Sequence, residues 1–126
     1  MTTSTQTVTQ IAQDPNMLTV ADVVAIRQEA LDAAKRAAEQ HLDTVGENMY
    51  CGFAWVDVSV ERTNSKEAKA LESIGFRKSY RPKMMTLWDP AGHRGQSMDC
   101  KEVGAQAYAD VLRAHGYKAY MGSRAD

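Results

Sequence analysis

The sequence predicts one small domain of α/β (or α+β) class, in which a long N-terminal helix precedes the order β-α-β-α-β. Three observations predict it: an apolar stripe at helical spacing near the N-terminus, small or apolar residues at every second position over 50–60, and two later helix patterns that each end in Gly followed by an aromatic residue. The 126 residues fit a single core. We predict a flexible leader over residues 1–18 and one compact domain over 19–126.

The first helix has the clearest pattern. Thr19 and Asp22 stand at capping-box spacing, and apolar residues recur at three- and four-residue intervals from Val23 onwards. Gly46 suits the position that ends the helix. The interior is rich in Ala, whose small side chains bury little area each, so we expect this helix to pack on a partner surface such as another subunit.

Three strands are predicted. Over 50–60 the even positions are small or apolar, whereas the odd positions are apolar at one end and polar at the other. The odd face is therefore half covered by a helix, or it lines a pocket or a subunit contact. Further strands are predicted over 84–88 and 117–121. Alternation with helices predicts a small three-stranded sheet with at least partly parallel pairing, and its open edges predict a homo-oligomer.

The two remaining helices have matching ends. The second runs from Asn64 to Gly75, with Asn64 and Glu67 at capping-box spacing. The third is capped by Ser97 or Asp99 and runs to about residue 115. Each is followed by a Gly and an aromatic residue, at 75–76 and at 116–117, the pattern of a Schellman stop.

Composition excludes several classes of function. The net charge of -1 gives no overall attraction to nucleic acid, so we expect no nucleic-acid partner. Two cysteines are too few for a disulfide framework, and the three histidines are isolated, so we expect neither a metal nor another cofactor. No apolar run reaches membrane-spanning length, and the first residues do not resemble a secretory signal, so we expect a cytoplasmic protein without membrane contact.

Two segments indicate an anion site. Residues 77–83 carry four cations around a tyrosine, and 89–99 form a Gly-containing polar loop that leads into a helix start, where free backbone N–H groups attract anions. Trp88 supplies a stacking face, and an Arg follows the last strand. The predicted ligand-binding residues are Arg77, Tyr80, Arg81, Lys83, Trp88, His93, Arg94, Gly95, Gln96, Ser97 and Arg124. The alternatives are that the basic segment is a solvated loop, that Ser97 only caps its helix, and that the tryptophan lies in the core or an interface.

A catalytic interpretation has weaker support. Cys51 or Cys100 paired with His93 and Asp89 would give a thiol nucleophile, and Cys100 lies in the first turn of a helix. No family signature surrounds either cysteine. We therefore name no catalytic residue and favour a protein that is not an enzyme, with a small Cys/His-dependent hydrolase as an alternative.

Three stretches carry a resemblance to a known group of proteins: residues 49–56 (MYCGFAWV), 95–98 (GQSM) and 119–124 (AYMGSR). Over about residues 20–126 the chain resembles small accessory proteins encoded by tailed bacteriophages and prophages. The resemblance implies action inside the host cell, often against a bacterial defence, and it assigns no activity to particular residues. With the anion site it leads to our hypothesis of a non-catalytic oligomer that sequesters a phosphorylated small molecule such as a nucleotide immune signal. A phage inhibitor that binds and blocks a bacterial protein is the alternative.

Overall fold

The computed structural model describes residues 17–45, 52–88, 90 and 98–125. These residues form three helices and four strands. In order they are α1 (Val20–Val45), β1 (Gly52–Ser59), α2 (Lys66–Ser73), β2 (Arg77–Lys78), β3 (Met84–Trp88), α3 (Met98–Ala114) and β4 (Lys118–Ala125). Most of the predicted leader, the Gly46 stop and the Ser97 cap lie outside the described residues.

The four strands form one antiparallel sheet in the order β2-β3-β1-β4, which confirms the α+β form of the predicted class. Two details of the predicted sheet were wrong. It has four strands instead of three, and its neighbouring strands are all antiparallel instead of partly parallel. Each helix crossover, through α2 or α3, joins two strands that run parallel but have an antiparallel strand between them. This is the connectivity of the split βαβ arrangement, which shares its alternation of helices and strands with parallel folds.

The helix ends follow local rules. Thr19 and Asp22 form the predicted capping box, with N–H donation in both directions at 3.0 and 3.1 Å. The hydrogen bond from the Thr19 backbone holds the pKa of Asp22 below its usual value. The cap of α2 is Ser65 and not the predicted Asn64, since the Ser65 hydroxyl accepts from the backbone N–H of Ala68.

Both Schellman stops are confirmed. The N–H of Phe76 donates to the carbonyl of Leu71, and the N–H of Tyr117 donates to the carbonyl of Leu112, at 3.0 and 3.1 Å. The glycines before these aromatics, at 75 and 116, have φ values of 107° and 96°, where a Cβ would be strained. Each stop directs a buried aromatic ring into the core and starts an edge strand immediately afterwards.

The core lies between the sheet and a layer of helices. Ala54, Val56 and Val58 of β1 are fully buried on the helix side. α3 packs on β1 and β4, and α1 packs along α3. The Ala stripe of α1, including Ala30 and Ala34, is buried in this contact. The partner surface expected for the Ala-rich helix is thus present within the same chain.

None of the helices in the described part of the chain is both long and apolar enough to cross a membrane.

Candidate functional site

The side of the sheet away from the helix layer carries the candidate site. Strand register sets which side chains share this open face, because residues directly opposite each other point the same way. From one end of the sheet to the other, the register places four cross-strand rows on it. They are Phe53 with Arg124; Trp88, Trp55 and Gly122; Arg77, Thr86, Asp57 and Tyr120; and Met84, Ser59 and Lys118.

Asp57 organises the centre of this face. The indole Nε1 of Trp55 donates to one carboxylate oxygen at 3.0 Å, and the Thr86 hydroxyl donates to the other at 2.6 Å. Arg81 reaches in from the loop after β2, with Nη2 3.3 Å from the carboxylate. The Asp57 side chain is only 10% exposed, so these three donors replace the water that its carboxylate has lost. Asp57 therefore fixes the orientation of a tryptophan and an arginine at once.

The two tryptophans form an aromatic floor. The ring centroids of Trp55 and Trp88 lie 4.8 Å apart with planes inclined by 48°, and Phe53 meets Trp88 edge-on at 6.3 Å. The Trp55 indole extends over Gly122 on β4, where a Cβ would stand 2.5 Å from Nε1. Gly122 thus leaves the space that the indole occupies. Trp88 remains 56% exposed, an unusual position for so large an apolar ring.

A cavity of about 350 Å³ opens between this floor and the segment that follows α2. Its size lies within the range of small-molecule sites. Of the residues that the structure describes, four cations line it against one carboxylate, that of Asp57. The lining residues are Trp55, Asp57, Arg77, Lys78, Ser79, Tyr80, Arg81, Thr86, Trp88 and Arg124.

A tight hairpin builds the outer wall. β2 pairs with β3, and the N–H of Ser79 donates to the carbonyl of Met84 at 2.9 Å. The Ser79 hydroxyl accepts from the backbone N–H of Arg81 within the turn. The Arg81 guanidinium lies 5.8 Å from the ring centre of Tyr80, which is 93% exposed at the rim.

Five of the predicted binding residues come together in this cavity although they are spread over 48 positions of the chain, from 77 to 124. They are Arg77, Tyr80, Arg81, Trp88 and Arg124. That they bind a ligand remains a prediction. Lys83 lies elsewhere: it has a φ of 58° and lines a separate shallow depression with residues 61–64. Lys83 lies outside the cavity because the chain turns away from it at Pro82, before β3 begins. Residues 93–97 lie outside the described part of the chain.

The sequence analysis did not name Trp55, Asp57 or Thr86 as binding residues. The signal for the first two was the odd-numbered face of β1, which was predicted to be half covered or to line a pocket or subunit contact. That pattern does not reveal which strands lie beside β1. The pairing of Asp57 with Thr86 on one side and Tyr120 on the other appears only with the sheet order.

One of the two candidate thiol nucleophiles, that of Cys100, is inaccessible. The side chain of Cys100 is fully buried beneath the first turn of α3. Cys51, His93 and Asp89, the other members of that hypothesis, lie outside the described residues. His115, at the end of α3, places Nε2 3.0 Å from a carboxylate oxygen of Glu29 on α1, a contact between two helices and remote from the cavity. Among the described residues no group of His, Cys, Asp and Glu side chains is placed to hold a metal ion.

No protein-family model, curated protein or solved structure matches this chain.

Proposed function

We propose that this protein binds an anionic ligand that carries an aromatic ring, with a nucleotide as the class that fits best, and that it sequesters the ligand without turning it over. The observation that carries the proposal is the cavity in which an exposed tryptophan floor meets four cations. The tryptophans would hold a base, and the cations would hold its phosphate.

The aromatic part of the proposal follows from the exposure of Trp88. An exposed indole that is kept in place by a second one offers a preformed stacking face, so a base can bind without ordering the side chain first. Trp55 is held in turn by Asp57 and by its seat over Gly122. The floor is therefore preorganised for a flat ring.

The anionic part follows from the balance of charge around the floor. Arg77 and Lys78 stand on one edge strand and Arg124 on the other, so a ligand on the tryptophans has guanidinium groups on both sides. Arg77 and Arg124 have no described carboxylate partner that would compete for them. Guanidinium groups bind phosphate and carboxylate alike through two parallel hydrogen bonds, and the presence of several cations around one floor favours the more highly charged phosphate.

Sequestration is favoured over turnover by the state of Asp57. Among the described residues it is the single carboxylate that lines the cavity, and its two oxygens already accept from three donors. A carboxylate held in this way is a positioning group and a poor general base. This property agrees with the hypothesis of a non-catalytic accessory protein, to which the resemblance to phage proteins and the predicted anion site together led.

Intrinsic fluorescence tests the proposal directly, because both tryptophans of the chain lie in the site. Nucleoside monophosphates should quench or shift the emission, the unphosphorylated nucleosides should bind more weakly, and inorganic phosphate should compete. Arg77→Gln should weaken nucleotide binding by roughly tenfold, the loss expected for one charge-assisted contact. Mass spectrometry of the recovered ligand then shows whether it is unchanged.

Lys83→Gln is the matched control, since it removes one positive charge from the same segment but outside the cavity. Equal losses for the two variants would mean that only general charge attraction is at work. No response to any nucleotide at millimolar concentration would overturn the proposal. Sedimentation of the wild type and of Trp88→Ala completes the test: if the substitution dissociates an oligomer, the open face is a subunit contact instead.

A further inference from the structure

The open face extends beyond the cavity to a further aromatic side chain, that of Tyr120. Tyr120 lies on β4 opposite Asp57, in the row next to the tryptophans, and is 52% exposed. It is two residues from Gly122 on the same side of the strand, so about 7 Å separates the two positions along β4. Because the Trp55 indole covers Gly122, the aromatic surface continues from Trp88 across Trp55 to the edge strand.

Cations lie on both sides of Tyr120 along the same face of β4. On the open face β4 presents Arg124, Gly122, Tyr120 and Lys118 in succession, that is, a cation, a gap filled by the indole, an aromatic ring and a second cation. Lys118 is exposed and stands opposite Ser59, beyond the cavity. A ligand with one base and one phosphate that binds in the cavity would not contact Tyr120 or Lys118.

From this arrangement we propose that the open face takes two nucleotides joined by a phosphodiester, one base on Trp88 and the other on Tyr120. The proposal rests on the proposed function, because the first base occupies the tryptophan floor. Arg124 and Lys118 contact the phosphates along β4, while the cations of the β2 segment hold the first nucleotide from the other side.

The small net charge of the chain is compatible with such a ligand. A footprint on long duplex DNA needs many phosphate contacts, whereas a dinucleotide unit offers one to three. The described cations of the open face are concentrated around the aromatic rings. Among the described residues that line the cavity, Asp57 carries the one carboxylate. Local charge therefore complements a short anionic ligand even though the total charge of the chain is -1.

The decisive experiment compares a single nucleotide with linked nucleotides that differ in length and, in one case, in cyclisation. Thymidine monophosphate, a linear thymidine dinucleotide, a cyclic dinucleotide and an oligothymidylate of about six nucleotides are titrated under identical salt, following tryptophan emission. We expect the linked ligands to bind at least about tenfold more tightly than the mononucleotide, the gain that one added stacking contact supplies. Tighter binding of the cyclic dinucleotide identifies a free signal as the source, and tighter binding of the oligothymidylate identifies a single strand.

Variants on β4 locate the second base. Tyr120→Ala should abolish the gain from linkage and leave mononucleotide affinity unchanged, while Tyr120→Phe, which keeps the ring, should retain the gain. Lys118→Gln should lower the salt dependence of dinucleotide binding by about 0.7 in the logarithmic slope, as for one lost phosphate contact. Lys69→Gln, an exposed lysine on α2, is its control and should change nothing.

The outcomes separate the two proposals. If the mononucleotide binds and linkage adds nothing, the two-nucleotide proposal is overturned while the proposed function stands. A gain from linkage that survives Tyr120→Ala also overturns it, since the second base then lies elsewhere. If neither the mononucleotide nor any linked ligand binds, the proposed function fails with it.

Discussion

Replacing Gly122 by Ala perturbs the aromatic floor at one atom. The added Cβ would stand 2.5 Å from Nε1 of Trp55 and 2.7 and 2.9 Å from two of its ring carbons. Carbon contacts settle at about 3.5–4.0 Å, so the indole must retreat by on the order of 1 Å. That movement stretches the 3.0 Å hydrogen bond from the indole to Asp57 beyond useful length.

The expected cost follows from three contributions. Overpacking costs about 1–3 kcal/mol, and a hydrogen bond to a charged group contributes about 1.5–3 kcal/mol, part of which the indole recovers from water. Against this, Ala is favoured over Gly in a strand by about 0.5–1 kcal/mol, and the φ of Gly122 is outside the left-handed region. The free energy of unfolding should therefore fall by about 2 kcal/mol.

A double-mutant cycle distinguishes this mechanism from a general intolerance of β4 to substitution. In a Trp55→Ala background the clash is gone, so Gly122→Ala should become neutral or stabilising by about 0.5 kcal/mol. Urea unfolding followed by far-ultraviolet circular dichroism gives all four values without relying on tryptophan emission. The same loss of stability in both backgrounds would refute the reasoning.

Three further predictions concern stability. Asp57→Ala leaves the Trp55 indole and other donors without their acceptor and should lower the free energy of unfolding by about 3 kcal/mol, measured by urea titration. Ser65→Ala removes the cap on the N–H of Ala68 and should cost about 1 kcal/mol in the same assay, whereas Ser65→Asp should restore most of it. The hydroxyl of Tyr117 is buried without a described hydrogen-bond partner, so Tyr117→Phe should raise the free energy of unfolding by about 1 kcal/mol at neutral pH. Burial also raises the pKa of Tyr117 to about 12, so stability should fall as the pH rises from about 10 through 12, and the Phe variant should lose less over that interval.

Local chemistry made much of the fold predictable from sequence. The capping box at Thr19, the two Schellman stops and the strand over 84–88 follow from residues close in the chain, and all of them are present. The choice between Asn64 and Ser65 as a cap was not predictable in the same way, because both side chains can accept the bond and tertiary packing decides where the helix starts.

Long-range pairing explains what the sequence did not reveal. Arg77 and Lys78 have no strong strand preference, and they become β2 because Met85 and Thr86 of β3 pair with them. The position of β1 between β3 and β4 in the sheet also has no signal in the local sequence pattern. The cavity depends on that position, since it brings Trp88 and Arg124 to opposite sides of Trp55. Sequence patterns therefore predicted five of the residues that line the cavity but did not predict Asp57 at its centre.

The matching ends of α2 and α3 have a consequence for the symmetry of the molecule. Exchanging β1 with β3 and β2 with β4 gives the same strand order read from the other end of the sheet. The chain therefore contains two copies of one βαβ unit, β1-α2-β2 and β3-α3-β4, related by a pseudo-twofold axis. In each copy the stop delivers a buried ring, Phe76 or Tyr117, followed by a cation, Arg77 or Lys118, at an outer border of the sheet. The copies are unequal in one respect, because α3 has 17 residues and α2 has eight. The longer copy presents the additional surface on which α1 packs, so the N-terminal helix is placed on one half of the pseudosymmetric unit only and breaks its twofold symmetry.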